Sequence, residues 1–270
     1  MKQYIAAMAA LMVVALVPIQ EADAYSTLRS QNGSELRWYS PTVDFYLNTD
    51  GFQDFDPVEL ERATLQCVRT WEALNFGLRF NYKGLTHKKA AEGSDENIIY
   101  FEQDPNTWKA LFPSQENALA MTRVWSDGDG AIEGFDMVFN DARHTFSNTL
   151  DPGLAKYDYL NTCVHEMGHV LGLDHSDIDE ATMYATAATA DLSKRDLATD
   201  DINGIRYLYR AGMPSEEDEL GCGGVAMASS VSAGALRHLP NPLSRPGADD
   251  LPLWALLLAL PAVWVHSRRR

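Results

Sequence analysis

The sequence predicts an α+β domain, because short strands come first along the chain and long helices lie among and after them. The alternation of apolar Val43, Phe45 and Leu47 predicts a strand with one buried face at residues 41–49. Asp56-Pro57 is typical of a helix start, since aspartate caps the first turn and proline fits its first position. That helix is expected to run to about residue 75.

Further apolar runs complete the prediction, element by element. Four more strands are expected at residues 78–82, 98–102, 118–124 and 135–139. Two more long helices are expected at residues 159–172 and 199–210, the first of them capped by Asp158. The chain between these two helices has no regular period and predicts an irregular lower part.

The helix after Asp158 carries a metal-ligand pattern in the run HEMGHVLGLDHS. Residues four apart share a helix face, so His165 and His169 can present two imidazoles to one ion. Gly172 is expected to end the helix, because glycine adopts left-handed backbone angles without steric cost, and His175 then returns as a third ligand. Three protein ligands with one open position are typical of a catalytic Zn²⁺ site.

Glu166 is the expected general base of this site. It lies about 100° around the helix from His165, where it can reach a water on the metal without being a ligand. The alternative is a helix with surface histidines and a coincidental glutamate. Met183 argues against that alternative, because a methionine turn beneath three histidines accompanies this motif in zinc peptidases.

These residues resemble the matrixins, the matrix-metalloproteinase branch of the metzincin zinc peptidases. Ser176 directly follows the third histidine and Tyr184 directly follows the turn methionine, as in matrixins. Residues 197–209 resemble the matrixin C-terminal helix. The resemblance implies a metzincin catalytic domain, in which a twisted mixed β-sheet with two long helices lies above a small C-terminal subdomain that holds the Met-turn and a final helix.

The resemblance also implies how a substrate is held. The segment from Tyr184 to Ala190 is expected to line the pocket for the residue after the cut. An extended substrate is expected to add to an exposed sheet edge, for which residues 118–124 are the candidate. The chain departs from the family pattern at Ala185, where matrixins have proline, and it has no cysteine-containing propeptide motif. The second, structural zinc of vertebrate matrixins is not carried over, because too few further histidines are present.

The charge and the N-terminal segment predict a protein that acts outside the cytoplasm. The 270 residues carry a formal net charge of −16, which excludes nucleic acid and anionic membrane surfaces as partners. Lys2, the apolar run at residues 5–17 and Ala22-Asp23-Ala24 predict a secretory signal peptide over residues 1–24, with an uncleaved anchor as the alternative. The catalytic domain is then expected over residues 25–212, as a monomer that acts on protein or peptide substrates.

The end of the chain has a different composition. Residues 213–250 are acidic and then rich in Ala, Ser and Pro, which predicts a disordered linker. Residues 251–270 are apolar with a basic end and resemble the sorting tails of bacterial surface proteins, and the Gly-Cys-Gly around Cys222 resembles the myxosortase type. A simple tail anchor in the membrane is the alternative. Either form would hold the protein at the cell envelope or release it from there.

Two further predictions concern cysteines and calcium. Cys67 and Cys163 fall on the apolar sides of two helices, and either a disulfide or two unpaired core thiols fits that placement. A set of four carboxylates has two interpretations, as Ca²⁺ ligands or as an ordinary acidic turn. The set comprises Asp127, Asp129, Glu133 and Asp136.

The sequence therefore predicts a secreted or cell-surface zinc endopeptidase that hydrolyses extracellular proteins. A noncatalytic zinc-binding surface module of the same fold is the alternative. The presence of Glu166 argues against that alternative, because a zinc scaffold without turnover needs no base at this position.

Overall fold

The computed structural model describes residues 24–89, 96–151, 153, 155–210, 258–259 and 264–267. Residues 1–23 of the predicted signal peptide, the linker and Cys222 lie outside the described residues. The helices are α1 (Pro57–Glu72), α2 (Pro105–Leu111), α3 (Tyr159–Val170) and α4 (Thr199–Leu208). The strands are β1 (Ser26–Thr27), β2 (Thr42–Leu47), β3 (Arg79–Leu85), β4 (Ile98–Glu102), β5 (Ala120–Ser126), β6 (Ile132–Asn140), β7 (Phe146–Ser147), β8 (Tyr157–Asp158), β9 (Leu173–Asp174), β10 (Thr186–Ala187), β11 (Leu258–Ala259) and β12 (Trp264–Ser267).

The main sheet is mixed, which confirms the predicted fold class. Its strand order is β12-β5-β6-β4-β2-β3. Four strands, β3, β2, β4 and β6, run parallel to one another, and β5 is antiparallel to β6. The parallel strands are connected by long segments, of which α1 is one, as parallel pairing requires.

Helices α1 and α3 pack against each other and form the core with one face of the sheet. The α1 start is capped as predicted, since the Asp56 carboxylate accepts the Val58 amide at 2.8 Å. The Trp71 indole donates to the Val164 carbonyl at 2.9 Å, and the Thr64 and Tyr159 hydroxyls lie 2.6 Å apart. These buried polar contacts fix how α3, the helix with the histidines, lies across α1.

Several predicted boundaries move, and one helix was not predicted. The strand predicted at residues 41–49 is β2, which ends earlier, at Leu47. Strand β3 extends to Leu85, and β6 is longer than the predicted residues 135–139 at both ends. Helix α2 begins with a second Asp-Pro pair, in which Asp104 caps the amides of Asn106 and Thr107. It spans seven residues and buries only Trp108, so it has too few turns to show an amphipathic period.

The candidate substrate edge is not free in the structure. Strand β5 pairs on its outer side with β12 in parallel, with Trp264 opposite Arg123 and Ser267 opposite Ser126. Strand β11 pairs antiparallel with β10. The prediction of an exposed edge at residues 118–124 is therefore wrong in this respect, because a strand of the same chain satisfies the open backbone groups of β5.

The described parts of residues 251–270 are strands. Among all the residues that the structure describes, there is no helix with the length and apolarity needed to cross a membrane.

The two core cysteines are free thiols. Cys67 on α1 and Cys163 on α3 are both fully buried. Burial raises the pKa of the Cys67 thiol, and its neighbour Cys163 adds to that rise. Of the two alternatives left open by the sequence, this structure has the two unpaired core thiols.

Candidate metal centre

Three histidines meet at the end of α3, as the spacing predicts. The ring centres of His165 and His169 lie 4.8 Å apart, and those of His169 and His175 lie 4.9 Å apart. One nitrogen from each of the three rings lies within 4.8 Å of the others. Gly172 turns the chain at φ 96°, which is the left-handed conformation predicted for it. A side chain there would also overlap the Leu36 carbonyl oxygen.

Backbone carbonyls orient two of the three rings. The Nδ1 of His165 lies 2.7 Å from the Thr182 carbonyl oxygen, and the Nδ1 of His169 lies 2.8 Å from that of Leu173. A carbonyl only accepts, so each Nδ1 carries the hydrogen and each Nε2 keeps a free lone pair. This arrangement is the usual outer support of histidines that bind metals.

The second ring nitrogens of the three histidines are suited to bind a metal ion. The Nε2 atoms of His165, His169 and His175 are all buried, and none has a hydrogen-bond partner among the described residues. Burial lowers the pKa of all three imidazoles, and the neighbouring positive charge of Lys194 lowers each of them further. The rings are therefore neutral at pH 7, as ligands must be. Neutral buried lone pairs that converge on one point suit Zn²⁺, which prefers nitrogen ligands of this kind.

Glu166 lies beside this centre and belongs to neither a salt bridge nor the ligand set. Its Oε2 accepts a hydrogen bond of 2.7 Å from the Thr122 hydroxyl on β5. Its Oε1 is buried without a partner among the described residues. Burial raises the pKa of this carboxyl to about 8, although the Thr122 hydrogen bond and the charge of Lys194 both lower it. One carboxylate oxygen of Glu166 is thus fixed by a hydrogen bond, and the other is available to accept one.

Met183 forms the floor beneath α3. A side chain at Gly168 would overlap the Met183 sulfur, so the helix must have glycine where the turn touches it. The Asp201 carboxylate accepts the Thr182 amide at 2.8 Å and the Met183 amide at 2.9 Å, and it also accepts the Ala198 amide at 2.8 Å. One carboxylate at the start of α4 therefore fixes the turn.

Ser176 joins the metal centre to both ends of the domain. Its hydroxyl donates to Asp200 at 2.6 Å. The other oxygen of Asp200 accepts the amides of Ala24 and Tyr25 at 2.8 and 3.0 Å. The start of the described chain and the start of α4 are thereby tied to the segment after the third histidine.

The four predicted calcium carboxylates do not converge. Asp127 caps a turn by accepting the amides of Asp129 and Ala131, and Asp136 is buried against Arg123 at 3.2 Å. In the part of the chain that the structure describes, the three histidines are the only group of three or more potential ligand side chains close enough to share an ion. The acidic-turn interpretation suits Asp127, and calcium binding stays a prediction.

Four residues of the centre could not be found from local sequence. Each of them contacts a residue that is distant in sequence. Thr122 binds Glu166 and Gly168 packs on Met183. Lys194 binds the Tyr184 carbonyl and Asp201 binds the amides of the methionine turn. Only Asp201 carried a signal, because it lies within the run that resembles the matrixin final helix.

Comparison with known proteins places these residues in a family. The family model described as Matrixin matches residues 37–210. The chain is 31% identical to human neutrophil collagenase over 152 residues, which cover 56% of this chain and 29% of that protein. It is 27% identical to human matrilysin over 173 residues, covering 64% of this chain and 58% of that protein. It is 39% identical to Metalloendoproteinase 2-MMP of Arabidopsis thaliana over 104 residues, covering 31% and 27%.

The extent of these matches decides what they show. The chain spans less than two thirds of the length of each of these relatives. The family match includes the three histidines, the methionine turn and α4, and it covers well over half of the chain. The chain therefore belongs to the matrixins, a family of zinc-dependent metalloendopeptidases.

Proposed function

We propose that this chain is an active zinc endopeptidase in which His165, His169 and His175 hold Zn²⁺ and Glu166 is the general base. One observation carries the proposal: three Nε2 atoms and one Glu166 oxygen are buried, and none of them has a hydrogen-bond partner in the described part of the chain. Unpaired buried polar atoms are costly to a fold. Their convergence is best explained by a metal ion and a reactive water that complete the centre.

The chemistry follows from the placement of these groups. Bound zinc would supply Lewis acidity, which polarises the scissile carbonyl and lowers the pKa of a water. Glu166 would take the proton of that water on its free Oε1 and deliver it to the leaving amine. Thr122 holds the other carboxylate oxygen, so the base keeps one orientation during both transfers. The carbonyls of Thr182 and Leu173 keep the His165 and His169 rings facing the metal.

The domain boundaries and the location belong to the same proposal. Residues 1–24 would direct export and residues 25–212 would form the catalytic domain. Residues 213–250 would form a linker, and residues 251–270 an anchor or bacterial sorting segment. The net charge of −16 and the resemblance to a matrixin support an extracellular protein with protein or peptide substrates. The rival is a noncatalytic zinc-binding surface module.

Cleavage of gelatin or casein by the full chain tests the proposal. Glu166→Gln should retain zinc and lose at least about 100-fold in kcat, because general-base catalysis contributes about 10²–10⁴-fold. Glu180→Gln is the matched control, since Glu180 is exposed and lies between the third histidine and the methionine turn. Zinc bound in all three proteins with no turnover in the wild type would favour the surface module. A folded wild type without zinc would exclude the ligand assignment.

A further inference from the structure

The end of the chain returns to the folded domain and pairs with two of its strands. Helix α4 ends at Leu208, and the next described residues form β11, Leu258–Ala259, which pairs antiparallel with β10. Strand β12, Trp264–Ser267, then pairs parallel with β5. The proposed mechanism makes no use of either pairing.

Strand β5 would be the edge of the described main sheet if β12 were absent. Its other side pairs antiparallel with β6 along its whole length. A free edge presents unpaired backbone N–H and C=O groups, and an extended peptide can pair with such an edge. Strand β12 lies in register with β5 at four successive positions, from Arg123 to Ser126. The last four residues of β5 are therefore covered by the chain itself.

The covered edge lies next to the proposed general base. Arg123, the first residue of β5 that pairs with β12, directly follows Thr122. The Thr122 hydroxyl donates to the Glu166 carboxylate at 2.7 Å, and both residues are buried. The stretch that β12 covers therefore begins one residue from the contact that fixes Glu166.

The second pairing follows the methionine turn. Strand β10, Thr186–Ala187, begins three residues after Met183. In the same turn, the Thr182 carbonyl orients the His165 ring at 2.7 Å. Only residues 260–263 separate β11 from β12 in sequence, and a link of that length spans less than about 20 Å. One short piece of chain thus contacts both the strand after the methionine turn and the strand that fixes Glu166.

We propose that β12 is an autoinhibitory strand, which covers the edge of β5 against an incoming substrate. The inference rests on the proposed peptidase function. A substrate that adds to β5 needs the same N–H and C=O groups that β12 uses, so the two cannot bind at once. Among the described strands, β12 has β5 as its only neighbour. It can therefore leave the edge while the other five strands of the sheet stay paired.

Prolines in β12 test the inference in the full chain. Alternate residues of a strand bond to the same neighbour, so Val265→Pro/His266→Pro removes at least one hydrogen bond to β5. The kcat/KM for casein should rise by about 2- to 10-fold for each backbone bond lost. Ser229→Pro/Ser230→Pro is the matched control, because these residues precede β11 and β12 in the chain. It should behave as the wild type.

Hydrogen exchange reports on the edge itself and needs no turnover. Residues 123–126 should exchange faster in the proline pair in β12 than in the wild type or the control. Exchange in α3 should be the same in all three proteins, which shows that the domain stays folded. A synthetic peptide with the sequence of residues 251–270 should restore the protection of β5 and raise the KM for casein. A scrambled peptide should do neither.

Two results would overturn the inference in an active enzyme. Unchanged exchange in β5 would mean that β12 does not cover the edge, and faster exchange with unchanged cleavage would mean that covering it does not inhibit. If neither protein cleaves casein, binding of a labelled gelatin peptide decides. Binding to the proline pair that is tighter by about 2- to 10-fold for each bond lost would support the inference although the peptidase proposal had failed. Equal affinity would reject it.

Discussion

Gly168 is the residue at which the methionine turn touches α3. The helix has no room for a side chain there, because the Met183 sulfur occupies that position and Trp71 lies close on the other side. The proposed metal ligands His165 and His169 flank this point on the same helix. The packing of one glycine therefore sets the distance between the histidines and their floor.

Gly168→Ala should destabilise the domain and weaken zinc binding. Overpacking of this kind costs about 1–3 kcal/mol, and the forced shift of Met183 moves the His165 support at Thr182. Urea unfolding and competition with a chromophoric chelator measure the two effects. The double variant Gly168→Ala/Met183→Ala should recover part of the loss, because contacting sites are not additive. Additive effects would show that the contact is unimportant.

Asp136 is a residue whose titration should be visible in stability. It is fully buried on β6 beside Arg123, and burial raises its pKa from 3.8 to about 7 although Arg123 lowers it. A raised pKa means that the folded state binds the proton more tightly. The contribution to stability is then full below about pH 4 and is lost as the pH rises to about 7.

Asp136→Asn should remove this pH dependence. The free energy of unfolding of the wild type minus that of the variant should fall as the pH rises from about 4 to 7. Other titrating groups are common to both proteins and cancel in the difference. Asp44→Asn is the control, because Asp44 is exposed and its pKa is lowered by Asn81. A difference that stays constant with pH would contradict the assigned shift.

At the scale of elements, the methionine turn depends on α4. The turn has no regular structure of its own, and its backbone amides reach one carboxylate, Asp201. That carboxylate also accepts the Ala198 amide at the start of α4. The helix therefore stabilises the metal centre without contributing a ligand to it.

Asp201→Asn should weaken zinc binding more than an ordinary surface change would. The amide group of Asn faces at least one backbone donor, and each buried amide left unpaired costs about 1–3 kcal/mol. Thermal unfolding and zinc affinity by chelator competition measure the effect. Asp179→Asn, at an exposed position before the turn, should behave as the wild type. Unchanged zinc affinity in Asp201→Asn would show that the hydrogen bonds of the methionine turn do not contribute to zinc binding.

At the scale of the whole molecule, zinc should join two parts of the chain that backbone structure alone leaves apart. Helix α3 ends at Val170, and His175 returns only after the turn at Gly172. An ion held by ligands on both sides stabilises only the folded state. Free zinc at 100 times its dissociation constant should therefore add about 2.7 kcal/mol to the free energy of unfolding.

Thermal unfolding at increasing zinc concentration checks this coupling. His175→Ala should abolish most of the gain, because it removes the ligand beyond the turn. His87→Ala should keep it, since that side chain is exposed beside Asp50 and far along the chain from the motif. An equal zinc response in all three proteins would place the stabilising ion elsewhere.

The same scale shows what the sequence could predict. His165, His169, Gly172 and His175 are set by helix geometry over one short run, so their convergence followed from spacing. The partners Thr122 and Lys194 lie 44 and 28 positions from Glu166. Nothing local marks them, because only the folded sheet and the loop after Met183 bring them to the centre.

Strand β12 has a consequence for any peptide that pairs with this sheet. The C-terminal segment pairs with β5 through β12 and with β10 through β11. An incoming peptide that needs the edge of β5 must first displace a competitor that the chain itself carries. Because this competitor is tethered, its local concentration does not fall on dilution. Only its release from the sheet, or its removal, would free the edge of β5.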